Sequence, residues 1–134
     1  MPNYWILKTE PFTYSFNNLV AEKTATWDGV SNPVALKNLG SMARGDQVMI
    51  YHTGDEKAII GLASVVSEPR PDPKDPRLTV VDLKAGEKVG KPVTLAAIKA
   101  DPAFADLGLV RQGRLSVVPV PPALWKKLLA MASA

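Results

Sequence analysis

The sequence predicts a small, curved α+β barrel in a single domain, and three observations carry that expectation. About six segments have strand character and several shorter ones carry helix signals, without the regular strand–helix alternation that a parallel α/β sheet needs. A hairpin sits in the middle of the chain, where Gly54-Asp55-Glu56-Lys57 joins two apolar runs. The 134 residues, 46% of them hydrophobic, suffice for one core and assign residues 1–134 to one domain. A dinucleotide-binding sheet is disfavoured, because neither Gly-x-Gly-x-x-Gly nor a Walker-type phosphate loop occurs.

Tyr4-Trp5-Ile6-Leu7-Lys8 is apolar on both alternating faces, the pattern of a strand in the interior of a sheet. Pro11 cannot donate to a ladder and biases Glu10 toward extended backbone, so Lys8, Thr9 and Glu10 project from a strand end where polar groups can converge. Ser15 is a helix cap before Phe16-Asn17-Asn18-Leu19-Val20, with Tyr14 placed to pack back on Leu19. Next comes Thr26-Trp27-Asp28-Gly29-Val30: an aromatic in an extended segment followed by a turn. Asn32 caps a helix with Pro33 at its first position and Gly40 as its stop, leaving Lys37 and Asn38 toward water. A flat ring beside a turn and a helix start, where N–H groups lack partners inside the helix, forms a wall and floor for a planar ligand.

Arg44-Gly45-Asp46 is a turn, and Gln47 to Thr53 and Ala58 to Val66 are the arms of the hairpin, with Gly61 marking a bulge or close approach. His52, with no carboxylate at useful spacing after it, reads as a hydrogen-bonded strand-end residue. The proline-rich stretch Pro69 to Arg77 carries no core-forming residue and is expected to be an exposed loop. Leu78 to Lys84 is a strand; Gly86 and Gly90 are turns; Thr94 caps the helix Leu95 to Lys99, which Asp101-Pro102 stops. Leu109 to Val120 enters a final strand, with Arg111, Gln112, Arg114 and Ser116 supplying donors at its start. Pro121-Pro122 open a last helix with a Leu124–Leu128–Met131 stripe and a core Trp125.

Composition excludes several classes. With no cysteine and a single histidine, disulfides, thiolate nucleophiles and the usual transition-metal sites are absent, and no metal or cofactor is implied. No apolar run approaches the roughly 20 residues of a membrane span, and Met1-Pro2-Asn3-Tyr4 does not begin a signal peptide, so a soluble, cytoplasmic monomer is expected, or a nuclear one in a eukaryote. A net charge of +3, with basic residues scattered from Lys8 to Lys127, is compatible with nucleic acid without indicating it.

Tyr4-Trp5-Ile6-Leu7-Lys8-Thr9-Glu10-Pro11, Tyr14-Ser15, Trp27-Asp28-Gly29-Val30, Arg44-Gly45-Asp46, Tyr51-His52, Ile60-Gly61-Leu62-Ala63, Pro71-Asp72-Pro73 and Arg111 to Val117 together resemble the EVE domain, the family of thymocyte nuclear protein 1-like proteins, from Tyr4 to about Leu129. The resemblance implies a PUA-like barrel of five to six mostly antiparallel strands flanked by short helices. It implies a non-enzymatic reader that binds a flipped or single-stranded modified base, above all a modified cytosine, in nucleic acid, with DNA ahead of RNA. Carried over residue by residue, Lys8, Thr9, Glu10, Trp27 and Asn32 line the base pocket, with Gln112, Arg114 and Ser116 as further candidates. Ser15, Asp28, Gly29, Val30, Tyr51 and His52 are its periphery. The departure is Ser31-Asn32-Pro33-Val34-Ala35-Leu36, where family members usually continue Arg-Asn-Tyr-Gln-Ala-Arg; each missing arginine removes a potential phosphate or base contact.

Two alternatives stand beside the reader. PUA-like barrels of the ASCH type include amidohydrolases acting on acylated cytidine with a lysine, a threonine and a glutamate, and Lys8, Thr9 and Glu10 supply those types. Thr9, however, is expected on the opposite face from its neighbours. The other is a small-molecule or protein interaction domain whose pocket has decayed.

Overall fold

β1 (Tyr4–Thr9) lies between β3 (Gln47–His52), to which it is parallel, and β7 (Val117–Val120), to which it is antiparallel, which is why Trp5, Ile6 and Leu7 are all buried. These relations come from a computed structural model that describes residues 3–133; Met1, Pro2 and Ala134, the outermost positions of the expected domain, lie outside the described residues. The other strands are β2 (Thr24–Trp27), β4 (Ala58–Val65), β5 (Arg70–Asp72) and β6 (Asp75–Thr94), and all their pairings are antiparallel. Among the described residues the ladder runs β2-β6-β4-β3-β1-β7, with β5 beside β6. The parallel pair follows from the connection between β1 and β3, which holds a strand and two helices and so has the length a crossover needs.

The end strands β2 and β7 do not pair, so the curved sheet is seven-stranded and not closed by a ladder. The helix α2 (Pro33–Gly40) covers the seam, packing on both β6 and β7. Asn38 Nδ2 donates to Val117 O at 2.8 Å across it, so Asn38 does not simply face water as its position in the helix pattern suggested. An open edge carbonyl demands a donor, and the helix supplies one.

Several boundaries differ from the sequence expectation, most of them through strand pairing. Gly86 and Gly90 are not turns but interior residues of the 20-residue β6, which pairs with β5 and β2 along its first half and with β4 along its second. The register with β4 shifts around Gly61, and a Cβ at Gly86 would stand 2.8 Å from Leu62 O, so glycine permits the close crossing. Gly61 is also where the Phe16 ring enters the sheet: a Cβ there would stand 2.3 Å from that ring. The proline-rich stretch contains β5, with Pro71 on an edge strand where its missing N–H is tolerated, and Asp72 is buried while accepting from Lys74 N at 2.9 Å. Leu109-Val110 belong to a one-turn helix α4 (Gly108–Arg111) instead of the final strand, an ambiguity inherent in short apolar runs.

The local signals hold. Ser15 caps α1 (Phe16–Glu22) with a reciprocal capping box to Asn18, Asn32 caps α2, and Thr94 caps α3 (Leu95–Lys99). In α5 (Pro122–Ala132) the buried face is Trp125, Leu128 and Ala132, one position round from the expected stripe, because Trp125 stacks on Tyr4 with ring centroids 4.7 Å apart.

Candidate functional site

The seam between the unpaired ends of the sheet opens at one end into a cleft of about 550 Å³, within the range of roughly 300–1,000 Å³ typical of small-ligand sites. Its walls are the end of β1, the turn from Glu10 to Tyr14, the end of β2, the segment Asp28–Asn32 and Ser116, which immediately precedes β7. Strand ends that are distant in the ladder meet here because the sheet curls. Lys8 N pairs with Ser116 O at 3.0 Å, prolonging the β1–β7 contact to the cleft.

Trp27 is the last residue of β2 and one wall. The Tyr14 ring packs on it in a T-shaped arrangement, centroids 6.0 Å apart at 83°, so Tyr14 braces the site. Tyr14 OH donates to Glu22 Oε1 at 2.7 Å; burial first, then that bond and the charges of Glu22 and Asp28, hold the phenol far above its usual range. It therefore stays neutral at any physiological pH. Gly29, with φ +78°, supplies the left-handed residue that turns the chain from β2 toward α2. Asn32 Oδ1 accepts from Val34 N and Ala35 N at 2.9 and 3.1 Å, which leaves its side-chain amide N–H groups uncommitted to the cap; Asn32 borders both the cleft and a second depression.

Lys8, Thr9, Glu10, Trp27, Asn32 and Ser116 all line this cleft, as do Asp28, Gly29 and Val30. Thr13, Tyr14, Thr26 and Ser31 line it as well and were not among the candidate site residues; Tyr14 was recognisable as an aromatic immediately before the Ser15 cap of α1, but only the fold brings it to Trp27. Gln112 and Arg114 are not in its walls. They border a separate depression of about 300 Å³ that touches the cleft's boundary only through Asn32, because α4 turns the chain away before Ser116 returns it. The exposed Val34 belongs to that second depression.

The remaining periphery candidates have structural partners away from the cleft. Ser15 is occupied as the α1 cap. His52 is 5% exposed; its Nε2 accepts from Phe16 N at 2.9 Å, so Nδ1 carries the proton and donates to Glu56 Oε2 at 3.1 Å. Glu56 is a carboxylate at i+4 that the sequence reading passed over, and the hairpin turn returns it to the ring. Tyr51 is buried under Lys8, whose Nζ lies 5.8 Å from the ring centroid, and burial raises the Tyr51 phenol. These two residues, with Lys57 and Lys99, border a cavity of about 200 Å³ next to the main cleft, and Lys8 lines both. Burial pushes the Lys8 ammonium below its usual value, and Nζ donates to Gly113 O at 2.7 Å.

The EVE domain family model matches residues 3–131. The chain belongs to the EVE domain family. Among solved structures, the NMR structure of Rpa0253 from Rhodopseudomonas palustris is 40% identical, covering 97% of this chain and 92% of that one, with a TM-score of 0.92. Atu2648 from Agrobacterium tumefaciens is 32% identical over 97% and 92% of the two chains, also at 0.92. Human THYN1, crystallised in complex with 5-methylcytosine-containing DNA, is 23% identical over 98% of each chain at 0.90, a likeness of fold. No curated protein matches the sequence.

In this EVE domain the lysine–threonine–glutamate trio does not converge on one atom. Thr9 Oγ1 donates to Tyr14 O at 2.6 Å, Lys8 Nζ to Gly113 O, and Glu10 Oε2 accepts from Thr53 Oγ1 at 3.2 Å. Among the described residues no group of three or more His, Cys, Asp or Glu side chains is placed to hold a metal ion, and no helix is long and apolar enough to cross a membrane. What the EVE domain cleft offers is an aromatic face, a neutral braced phenol and a ring of short polar groups: the means to stack and hydrogen-bond a planar ligand.

Proposed function

We propose that this EVE domain is a non-enzymatic reader that captures a modified nucleobase, a modified cytosine foremost, from nucleic acid in the cleft beside Trp27. The observation that carries the reading is the Trp27 wall with hydrogen-bonding groups of both kinds around it. A cytosine pairing edge presents one amino donor, N4, followed by two acceptors, N3 and O2. The Asp28 carboxylate is a matching acceptor, and the Asn32 amide and the Ser31 and Ser116 hydroxyls are matching donors on the cleft wall. A base stacked on an aromatic gains about 1–3 kcal/mol, which offsets the few kcal/mol needed to take it out of a helix.

Two further features support the reading. Lys57 and Lys99 beside Lys8 give the cleft a cationic shoulder, with no carboxylate among the residues lining that cavity, where phosphates flanking a captured base are accommodated. The fold shared with human THYN1 is one in which 5-methylcytosine DNA is bound, which favours DNA over RNA. An amidohydrolase reading lacks support, because a nucleophilic Thr9 requires a base within hydrogen-bond reach and its hydroxyl is committed to Tyr14 O.

The test is tryptophan fluorescence of the wild type and Trp27→Ala, titrated with short oligonucleotides carrying cytosine, 5-methylcytosine, 5-hydroxymethylcytosine or N6-methyladenine at two salt concentrations. One modified strand is expected to bind better than its plain counterpart, with the preference lost in Trp27→Ala. Equal, weak binding of every strand that collapses as salt rises would mean phosphate electrostatics alone and overturn the reader.

A further inference from the structure

Phe12 is 94% exposed, against 46% and 52% for the other exposed large apolar residues, Val20 and Val34. A single apolar side chain in water is unremarkable in itself, so its surroundings decide. Glu10, Thr13 and Tyr14, on either side of it in the chain, line the cleft, so Phe12 projects into solvent from the turn that forms part of the cleft wall. The turn that presents it is pinned. Thr13 N and Tyr14 N donate to Glu10 O at 2.9 and 2.8 Å, Phe12 N to Glu10 Oε1 at 3.4 Å, and Thr9 Oγ1 to Tyr14 O. Pro11 fixes its own φ within the same turn. The chain thus holds a phenyl ring outward on a stiff mount and gives it nothing of its own to cover.

A base drawn from a duplex into a pocket leaves a gap in the stack, and the neighbouring bases lose a stacking partner. Proteins that distort duplexes commonly fill such a gap with an apolar side chain. A single strand or a free nucleoside leaves no gap, and a phenyl on that turn would then gain little.

We propose that Phe12 is a wedge that fills the space vacated in a duplex when the target base enters the cleft, so that double-stranded nucleic acid is the partner this domain takes. The inference rests on the base-capture reading above and narrows it. The wedge is apolar rather than specifically aromatic in its requirement, so leucine serves in its place, whereas a stacking platform needs a ring. Because the side chain is almost wholly solvent-exposed, its replacement does not disturb the fold.

The experiment measures dissociation constants of the wild type, Phe12→Ala, Phe12→Leu and Trp27→Ala for a short duplex with one 5-methylcytosine and for the same strand unpaired. Phe12→Ala is expected to weaken duplex binding about tenfold, within the span of one stacking contact, while changing single-strand binding less than about twofold; Phe12→Leu should restore most of the duplex affinity. Unchanged duplex binding by Phe12→Ala, or an equal loss on both probes, overturns the wedge. Trp27→Ala reads the cleft separately. A loss on the single strand with Phe12→Ala neutral on the duplex keeps the cleft and removes the wedge, and no loss on the single strand removes both.

Discussion

Trp5 and Trp27 are almost equally buried, at 5% and 8% exposure, yet their polar surroundings differ. The indole N–H of Trp5 donates to Asp46 Oδ2 at 2.9 Å, and the same buried carboxylate accepts from Ala43 N and Asn3 N, both at 3.0 Å. Every polar group there is closed by protein. Trp27 has no such acceptor among the described residues; because no buried side-chain nitrogen or oxygen lacks a partner, its N–H retains access to solvent. It borders the cleft, and the Tyr14 ring packs on it at 83°. Trp125 is a third case: its N–H has no acceptor among the described residues, and its ring stacks on Tyr4. Burial alone therefore does not separate Trp5 from Trp27, and both border depressions, Trp27 the cleft and Trp5 one of about 740 Å³. What differs is that the Trp5 indole is tied to Asp46, whereas the Trp27 indole has no acceptor among the described residues.

The largest expected effect is on the structural side. Asp46→Ala strands three donors, one of them an indole, and is expected to lower unfolding free energy by about 3 kcal/mol in urea denaturation while leaving base preference intact. A loss below about 1 kcal/mol would mean that water replaces Asp46 and that the Trp5 end is not closed. Trp27→Ala comes next, with about 1–3 kcal/mol lost from binding of the preferred modified strand in the fluorescence titration. If instead binding is retained and only stability falls, the two tryptophans are alike and the comparison collapses.

Smaller effects sharpen the boundary of the site. Lys57→Ala and Lys99→Ala are each expected to reduce the slope of log affinity against log salt by just under one unit, about 0.9 per duplex phosphate contact, without altering which base is preferred. An unchanged slope would place the phosphates elsewhere. The smallest effect concerns the back of the cleft. Arg70 and Thr26 hydrogen-bond Asp82 and hold its carboxyl below the usual range. A group depressed on folding contributes its stability above the unfolded pKa and loses it as pH falls through the folded one. Arg70→Ala should therefore flatten the acid limb of the stability curve below the ordinary carboxylate range, by less than about 1 kcal/mol because both side chains are substantially exposed. A steeper acid limb in the variant would reverse that assignment.

The sequence by itself determined the features whose energetics are local. The caps at Ser15, Asn32 and Thr94, the turn at Asp28-Gly29 beside Trp27, the hairpin at Gly54 to Lys57 and the interior strand Trp5-Ile6-Leu7 depend on residues within a few positions of one another, where side-chain caps, positive φ and alternation act directly. The family motifs extended that reading to most of the cleft. Tertiary structure alone decided the passage of β6 through Gly86 and Gly90, the emergence of β5 from a proline-rich stretch and the parallel β1–β3 pair. It also decided that Ser116 faces the cleft while Gln112 and Arg114 border another depression. A glycine is a turn or a bulge, and a donor is inside or outside a pocket, according to which distant strand supplies the neighbouring hydrogen bonds. That choice is made by pairing across the curled sheet, not by the residues adjacent in the chain.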